Sequence, residues 1–241
     1  MERLDKILSN LGYGTRKEIK AMMKKGEVEV DGQIVKDNSL KVDPFKTIVK
    51  VSGEVINYRE FIYLMMNKPQ GVVSATFDNY DETVVDLLHP EHAAFNPFPV
   101  GRLDKDTEGL LLITNDGELN HRLTSPKWHV DKLYYAEIDS QVDEKDIEAF
   151  QLGITLDDDY KCLPAKLEII SSNENGSEVY VTIQEGKFHQ VKRMFEALDK
   201  NVVYLKRIRM GSLVLDEALE EGTYRELTEN ELAALKGHKI Q

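Results

Sequence analysis

A short polar segment concentrates side chains that could do chemistry. From Val100 to Gly117 the sequence is VGRLDKDTEGLLLITNDG, so that Arg102, Asp104 and Asp106 alternate in one loop. A carboxylate beside a cation stays ionised and can serve as a base, a metal ligand or a nucleophile. We take Asp104 as the candidate reacting group. Asp106 could pair with it as an acid and base couple, and the structural alternative is a carboxylate that caps a turn.

The residues after this loop predict a rigid support. Leu110 to Ile113 form a continuous apolar run, which is typical of a short buried strand, and Asn115, Asp116 and Gly117 favour a turn that ends it. Loops held by a packed scaffold commonly carry chemistry. We therefore expect a site here more than a solvated surface.

Composition restricts the class of protein. A chain of 241 residues with 41% hydrophobic content can bury a core, and its single cysteine, Cys162, excludes an internal disulfide and fits a reducing compartment. The start MERLDKIL lacks the apolar centre of a signal peptide, and no run of about 18 apolar residues occurs. We expect a cytoplasmic protein without a membrane partner, and a monomer. The pairs His89/His92 and His121/His129 lack organised carboxylate or cysteine neighbours, so we predict no metal site.

The charge is unevenly distributed. The net charge is -12, yet residues 1–25 hold seven basic side chains against three acidic ones, and residues 187–209 hold seven against two. Phosphate contacts require clustered Lys and Arg, so two basic patches on an acidic body are compatible with a nucleic-acid partner. Ordinary variation along a charged chain is the alternative.

The sequence pattern of residues 1–60 predicts a small separate domain of helices and short strands. Leucine and isoleucine recur at helical spacing from Arg3 to Leu11, and Thr15 with Glu18 forms a capping box at the start of a second, basic helix. The sequence VEVDGQIV around Asp31 and Gly32 indicates a hairpin.

Residues 61–241 predict a larger domain of many strands and few helices, without regular alternation. Such a pattern favours an α+β fold with a largely antiparallel sheet. Strands are predicted at FIYLMMNKP, QGVVSA, 131–138, 165–170 and 178–184, and helices at 83–88, 143–152 and 188–197.

The first module resembles the S4 RNA-binding domain. The matching residues are RLDKILSNLGYGTRKEIKAMMKKGEVEVDGQIV, which are nearly the whole module. In that domain a helical pair presents basic residues to structured RNA. The resemblance therefore implies RNA contacts from Arg3, Arg16, Lys17, Lys20 and Lys24.

The rest of the chain resembles the RNA pseudouridine synthases. GRLDKDTEGLLLITNDG matches the signature in which the Asp after Arg-Leu is the catalytic carboxylate, here Asp104. YLMMNKPQGVVSA is similar to the family's first motif, and EGKFHQVKRMFEAL to its basic third motif. Together with the S4-like module, the resemblance covers essentially the entire chain. HQVKRM, with His189 and Lys192, resembles the group that modifies small-subunit (16S) ribosomal RNA.

The resemblance implies isomerisation of uridine to pseudouridine without a cofactor. Asp104 would act at C1′, at the base or on a sugar proton, and Lys192 would keep it ionised. Tyr134, two residues after the Lys of a Lys-x-Tyr segment, would be a catalytic residue that stacks on the uracil and helps to remove the C5 proton. The adjacent Tyr135 is the alternative ring. Arg102 would fill the gap left by the extruded base or hold a phosphate. Further RNA contacts are expected from His189, Gln190 and Arg193.

The expected partner is ribosomal RNA or a small-subunit assembly intermediate, which could bridge both basic patches. Three alternatives remain. The same chemistry could act on large-subunit rRNA, although HQVKRM and the lack of a basic tail favour the small subunit. The chain could be a non-catalytic RNA-binding assembly factor, but Asp104, Tyr134 and Lys192 are all present. A glycoside hydrolase with paired carboxylates is disfavoured by the RNA-binding module in front.

Overall fold

The computed structural model describes residues 1–56 and 58–237. Two compact units make up the chain: an amino-terminal unit of residues 1–62 with 88–97, and a sheet unit of residues 63–87 with the described residues from 98 onward. The predicted domain boundary between residues 60 and 61 stays a prediction. In the part of the chain that is described, no helix has the length and apolar character needed to cross a membrane.

The amino-terminal unit consists of short helices and strands. Thr15 caps the second helix and forms the predicted capping box with Glu18, and Gly26 ends that helix in the left-handed conformation, with φ at 81°. Its elements are β1 (Glu2–Arg3), α1 (Leu4–Asn10), α2 (Arg16–Lys25), β2 (Val28–Val30), β3 (Gln33–Ile34), β4 (Lys41–Val42), β5 (Val49–Val51), β6 (Glu54–Val55) and α3 (Pro90–Ala93).

One apolar core holds this unit together. The two helices pack on the sheet β3-β2-β5-β6, in which Asp31 and Gly32 close the predicted hairpin with φ at 48° and 80°. The core side chains come from the apolar faces of α1 and α2 and from the strands, namely Leu4, Ile7, Leu8, Ile19, Met23, Val28, Val42, Val49 and Val51. The polar face of α2 is consequently left to solvent.

The sheet unit is built on nine strands, mostly antiparallel, which confirms the predicted α+β class. Seven strands follow the order β11-β12-β10-β13-β9-β7-β15, with β14 paired to β13 and β8 to β9. The bounds are β7 (Tyr63–Lys68), β8 (Phe98–Pro99), β9 (Glu108–Thr114), β10 (Lys132–Ile138), β11 (Lys166–Asn173), β12 (Gly176–Ile183), β13 (Val202–Met210), β14 (Leu213–Val214) and β15 (Tyr224–Glu226).

Within the described residues of the sheet unit, up to residue 237, four helices and a 3-10 turn accompany the strands. They are α4 (Gly117–Thr124), the turn Pro126–Trp128, α5 (Glu144–Leu152), α6 (Gln190–Glu196) and α7 (Glu229–Gly237). The buried strand predicted at Leu110–Ile113 is the centre of β9, all of whose residues are buried. Helix α6 begins two residues later than predicted, because His189 adopts a left-handed φ of 49° that a helix does not contain.

Two predicted elements are wrong. QGVVSA forms no strand and contributes only an isolated bridge from Val73 to Thr83. Residues 83–88 form a turn instead of a helix. The Asp86 carboxylate accepts hydrogen bonds from the backbone N–H and the hydroxyl of Thr83, both at 2.8 Å, and this side-chain bonding closes the turn locally.

The sheet contains one parallel pairing, between β9 and β13, and it requires a glycine. Lys206 and Arg207 of β13 pair with Glu108 and Gly109 of β9. Gly109 has φ at 99°, and a Cβ built there would lie 2.3 Å from the carbonyl oxygen of Arg207. Any side chain would therefore push the two central strands apart.

We predict that Gly109→Ala destabilises the protein severely. The substitution combines backbone strain with overpacking against a backbone oxygen, each worth about 1–3 kcal/mol, so the free energy of unfolding should fall by roughly 2–6 kcal/mol. Denaturant unfolding measures this. Gly117→Ala is the matched control, since a Cβ at Gly117 meets nothing within 4 Å. Equal stabilities for the two variants would contradict the role given to Gly109.

Candidate active site

The loop that carries Asp104 is fixed by the residues that follow β7. The Ser74 hydroxyl donates to the carbonyl of Leu103 at 2.9 Å, and the N–H of Leu103 donates back to that hydroxyl at 3.1 Å. The N–H of Gly71 donates to the carbonyl of Lys105 at 2.8 Å, and the N–H of Thr107 to that of Asp104 at 3.1 Å. The segment QGVVSA, predicted as a strand, thus holds the loop that carries Asp104 in place through hydrogen bonds.

A buried lysine also holds this loop in place. Lys68, the last residue of β7, is fully buried and donates from Nζ to the carbonyls of Pro69 and Thr107, both at 2.9 Å, and of Lys105 at 3.3 Å. Burial lowers the pKa of Lys68 to about 8, against the opposing charges of nearby carboxylates. Three carbonyl partners compensate the ammonium for its lost hydration.

Two carboxylates of the loop share one ammonium. Lys192 Nζ, on α6, donates to Oδ1 of Asp106 at 2.6 Å and lies 3.4 Å from Oδ2 of Asp104. The Lys192 side chain is only 17% exposed, which strengthens both attractions relative to bulk water. His189 Nε2 lies 3.6 Å from Oδ1 of Asp104 on the other side. The pairing of Lys192 with Asp104 expected from the sequence is present, but Asp106 is the nearer partner.

The electrostatics of this cluster favour the ionised form of Asp106. Partial burial works against ionisation of Asp106, but the hydrogen bond and charge of Lys192, with a smaller contribution from His189, hold its pKa below the usual range. Asp106 is therefore an anion at neutral pH. Since its side chain is 68% exposed, water also screens it, whereas Asp104 is the more enclosed of the two.

Asp104 opens onto a small pocket within the sheet unit. Tyr134 of β10, which is buried, lies in the pocket wall. Tyr135 points to the opposite face of the strand, where its ring contacts those of Tyr180 and Tyr204 at centroid distances of 6.1 and 6.0 Å. Strand alternation thus separates the two candidate rings. The wall residues are Arg102, Leu103, Asp104, Thr107, Tyr134, Ile183, Gly186, Lys187, His189, Gln190, Val191 and Leu205.

The basic third motif is held by a buried carboxylate. Glu185 accepts from the backbone N–H of Leu163 at 2.8 Å, from Nε2 of Gln190 at 3.0 Å and from the hydroxyl of Tyr160. Gln190 is itself buried and accepts from the N–H of Lys187 at 3.0 Å. The contacts of Gln190 with Glu185 and Lys187 therefore fix the segment that precedes α6.

Arg193 and Arg102 differ sharply in their surroundings. Arg193 donates from Nε to Asp157 at 2.7 Å, and its Nη2 lies 2.8 Å from Asp158. Arg102 is exposed at the mouth of the pocket and forms no ion pair within residues 1–56 and 58–237. Of the two guanidinium groups, that of Arg102 is available to an anionic ligand.

Two further basic side chains are buried in the sheet. Lys132 is buried and donates to the carbonyl of Val130 at 3.1 Å, and burial together with the charge of Arg207 lowers its pKa to about 8. Arg207 is also buried and donates from Nε to the carbonyl of Leu110 at 2.8 Å. Its guanidinium thereby links β13 to β9.

The amino-terminal unit presents a separate basic face. Four side chains of α2 are exposed and form no ion pair in the described part of the chain: Arg16, Lys17, Lys20 and Lys24. Arg3 differs, because it donates to Asp5 from Nε at 3.0 Å and from Nη2 at 2.7 Å. The hydrogen bond from Arg3 lowers the pKa of the buried Asp5 to about 2, so this arginine also has a structural role.

The sequence did not reveal every residue that shapes the site. Lys68 and Glu185 were not singled out, although a lysine that ends an apolar strand just before a proline is an available signal. Strand β13 was noticed only for its charges, because its basic residues obscure the alternation. Two of the three carbonyl partners of Lys68, those of Lys105 and Thr107, lie 37 and 39 positions away, and no residue pattern encodes such contacts.

Comparisons with known proteins point to the same family over nearly the whole chain. The profile of the family described as RNA pseudouridylate synthase matches residues 62–197, and that of the S4 domain matches residues 2–48. An uncharacterized RNA pseudouridine synthase of Bacillus subtilis (strain 168) is 56% identical over 97% of this chain and 98% of its own. A ribosomal small subunit pseudouridine synthase A of Vibrio cholerae is 43% identical over 97% of this chain and 99% of its own. The crystal structure of a pseudouridylate synthase, 38% identical, covers 98% of this chain and 100% of its own with a TM-score of 0.68.

We predict that Lys192→Met raises the pKa of Asp106. The ammonium is what holds that pKa down, and partial burial alone acts in the opposite direction. A carboxyl-carbon NMR titration between about pH 2 and 7 follows the ionisation. Lys200→Met serves as control, because the Lys200 ammonium lies 3.3 Å from Asp146 instead. An unchanged midpoint for Asp106 would show that Lys192 does not control this carboxylate.

Proposed function

The chain belongs to the RNA pseudouridylate synthase family, and from that premise we propose that it converts a specific uridine of small-subunit ribosomal RNA into pseudouridine. The observation that carries the choice of RNA is the 43% identity over 97% of the chain to a relative named for the small ribosomal subunit. The S4 domain at residues 2–48 supports an RNA substrate.

Asp104 is the catalytic carboxylate in this proposal. The N1–C1′ bond of uridine breaks, the uracil turns while it is held, C5 bonds to C1′ and a proton moves from C5 to N1, so the product is an isomer and the atoms balance. Attack at C1′, addition to the base and removal of a sugar proton all require an ionised carboxylate. Lys192 Nζ, 3.4 Å from Oδ2 of Asp104, supports that charge.

Tyr134 and Arg102 hold the substrate. The ring of Tyr134 lies in the wall of a pocket that Asp104 also lines, where a flat base could stack against it. The target uridine must first leave its stack, at a cost of a few kcal/mol, roughly, that new contacts offset. Arg102, exposed at the pocket mouth, occupies the gap or binds a neighbouring phosphate. His189, 3.6 Å from Asp104, also faces the bound nucleotide.

The basic face of α2 supplies affinity that is independent of the chemistry. Arg16, Lys17, Lys20 and Lys24 are exposed, so they can contact phosphates as the S4 domain match implies. Three other residues expected to contact RNA hold acidic side chains instead and contribute by positioning them. Arg3 binds Asp5, Gln190 binds Glu185 and Arg193 binds Asp157. We further propose that the enzyme acts as a cytoplasmic monomer on rRNA or on an assembling subunit.

We predict that Asp104→Asn abolishes pseudouridine formation while RNA binding persists, because the charge is removed with little change in volume. Pseudouridine is mapped in rRNA from cells that lack the protein and from the same cells supplied with either version. The expected result is one small-subunit position that is restored by the natural protein alone. Asp139→Asn, a carboxylate outside the pocket, is the matched control.

Each other outcome of this mapping has a distinct meaning. A modified position restored in large-subunit rRNA would keep the enzyme class and overturn the proposed target. Restoration by Asp104→Asn would overturn the role of Asp104. If neither RNA changes, the proposal fails, and the alternative of a non-catalytic RNA-binding assembly factor is favoured.

We predict that Lys17→Glu combined with Lys24→Glu weakens RNA binding and reduces its salt dependence. Each lost phosphate contact lowers the slope of log affinity against log salt by about 0.7–0.9, so the slope should fall by roughly 1.5. Filter binding across a salt series measures it. Lys145→Glu with Lys161→Glu makes the same charge change on exposed lysines of the sheet unit. If both double variants keep the original slope, α2 does not contact phosphates.

A further inference from the structure

A groove adjoins the pocket within the sheet unit. It shares Arg102, Asp104 and His189 with the pocket and continues past Asp78 and Phe188, with a volume of about 440 Å³. This volume is within the range of about 300–1,000 Å³ typical of ligand clefts. A uridine held at Asp104 would therefore leave space for a neighbouring group along the groove.

An exposed aromatic ring stands on the groove wall. Phe188 is 71% exposed, and its ring stacks on that of His189 at a centroid distance of 3.8 Å and an interplanar angle of 17°. The backbone beneath is anchored, because the carbonyl of Phe188 accepts from Arg193 at 3.4 Å and the N–H of Lys187 donates to Gln190 at 3.0 Å. One face of a positioned ring is thus presented to solvent.

The loop that contributes Asp78 to the groove carries two more exposed rings. Phe77 and Tyr80 are 74% and 96% exposed, and they flank Asp78, which lines the groove. The Asp78 carboxylate accepts from the N–H of Tyr80 at 2.9 Å and from that of Asp81 at 3.1 Å, so the loop has a defined shape. Exposed aromatic side chains on ordered loops are costly in water and are typical of surfaces that receive a partner.

The charges of the groove favour a phosphate-bearing occupant. Arg102 and Lys187 line it, and neither forms an ion pair in the described part of the chain. Lys187 instead lies over the ring of Tyr160, 4.3 Å from its centroid. Aromatic faces beside available cations are the combination that binds single-stranded nucleic acid, whereas bases inside a duplex have both faces covered.

We propose that the groove binds the unpaired nucleotide next to the target uridine, with its base stacked on Phe188 and its phosphate near Arg102 and Lys187. This inference rests on the proposed RNA substrate and adds a specificity element to it. His189 covers the other face of the Phe188 ring, so one face of that ring is left for a base. The enzyme would thereby prefer a uridine in a single-stranded segment.

The test is tritium release from small-subunit rRNA and small-subunit particles, both isolated from cells that lack the protein and were grown with [5-³H]uridine. Loss of the proton at C5 reports each turnover. Phe188→Leu should raise KM about tenfold and leave kcat within twofold, because a lost base–aromatic stack weakens binding without touching the reacting atoms. Phe188→Trp should keep KM within twofold of the natural enzyme. Leu152→Ala, which alters an equally exposed apolar residue on α5, is the control.

The outcomes separate this proposal from the one it rests on. If the natural enzyme releases no tritium from either substrate, the proposed function fails. If it is active and Phe188→Leu has an unchanged KM, the stacking site is absent. A fall in kcat alone, or a Phe188→Trp enzyme as weak as Phe188→Leu, would likewise overturn stacking, since the ring would then act only by supporting the loop. Circular dichroism of each variant confirms that the fold is retained.

Discussion

The close approach of β9 and β13 is the constraint on which the site depends. The two strands run parallel at the centre of the sheet, and their contact at Gly109 leaves no space for a side chain. Arg207 reinforces the contact by donating to the carbonyl of Leu110. Strand β9 begins at Glu108, four residues after Asp104. The pairing of β9 with β13 therefore determines the position of Asp104 beside the pocket.

Lys192 interacts with two carboxylates and not with one, as a simple ion pair would require. It comes from α6, more than 80 positions away from the loop, and it approaches two carboxylates at once. The nearer one, Asp106, lowers the net charge that Lys192 presents to Asp104 and also orients the ammonium. Electrostatic support for a reacting carboxylate is effective when the cation is already held before substrate binds. Asp106 is therefore better described as the residue that positions Lys192 than as an acid partner of Asp104.

Local patterns predicted the parts of this fold in which local interactions decide the structure. The capping box at Thr15, the hairpin at Asp31 and the buried run in β9 all depend on neighbouring residues, and all are present. Periodicity misled where a side chain closes a turn, as Asp86 does, or where backbone atoms clamp a distant loop, as after Lys68. The residue types around Asp104 were recognisable from their motif. Their distances were not, because Lys192 and His189 arrive through tertiary packing.

The opposite orientations of Tyr134 and Tyr135 limit how this protein can evolve. Successive side chains of a strand face opposite sides, so a shift of one residue in β10 exchanges every inward and outward position. A single insertion or deletion before Tyr134 would turn Tyr135 toward the pocket and move Tyr134 to the outer face with Tyr180 and Tyr204. Strand β10 is paired on both sides, with β12 and β13, and cannot slide to compensate. Substitutions in β10 therefore keep its two faces distinct, whereas a change of one residue in its length exchanges them.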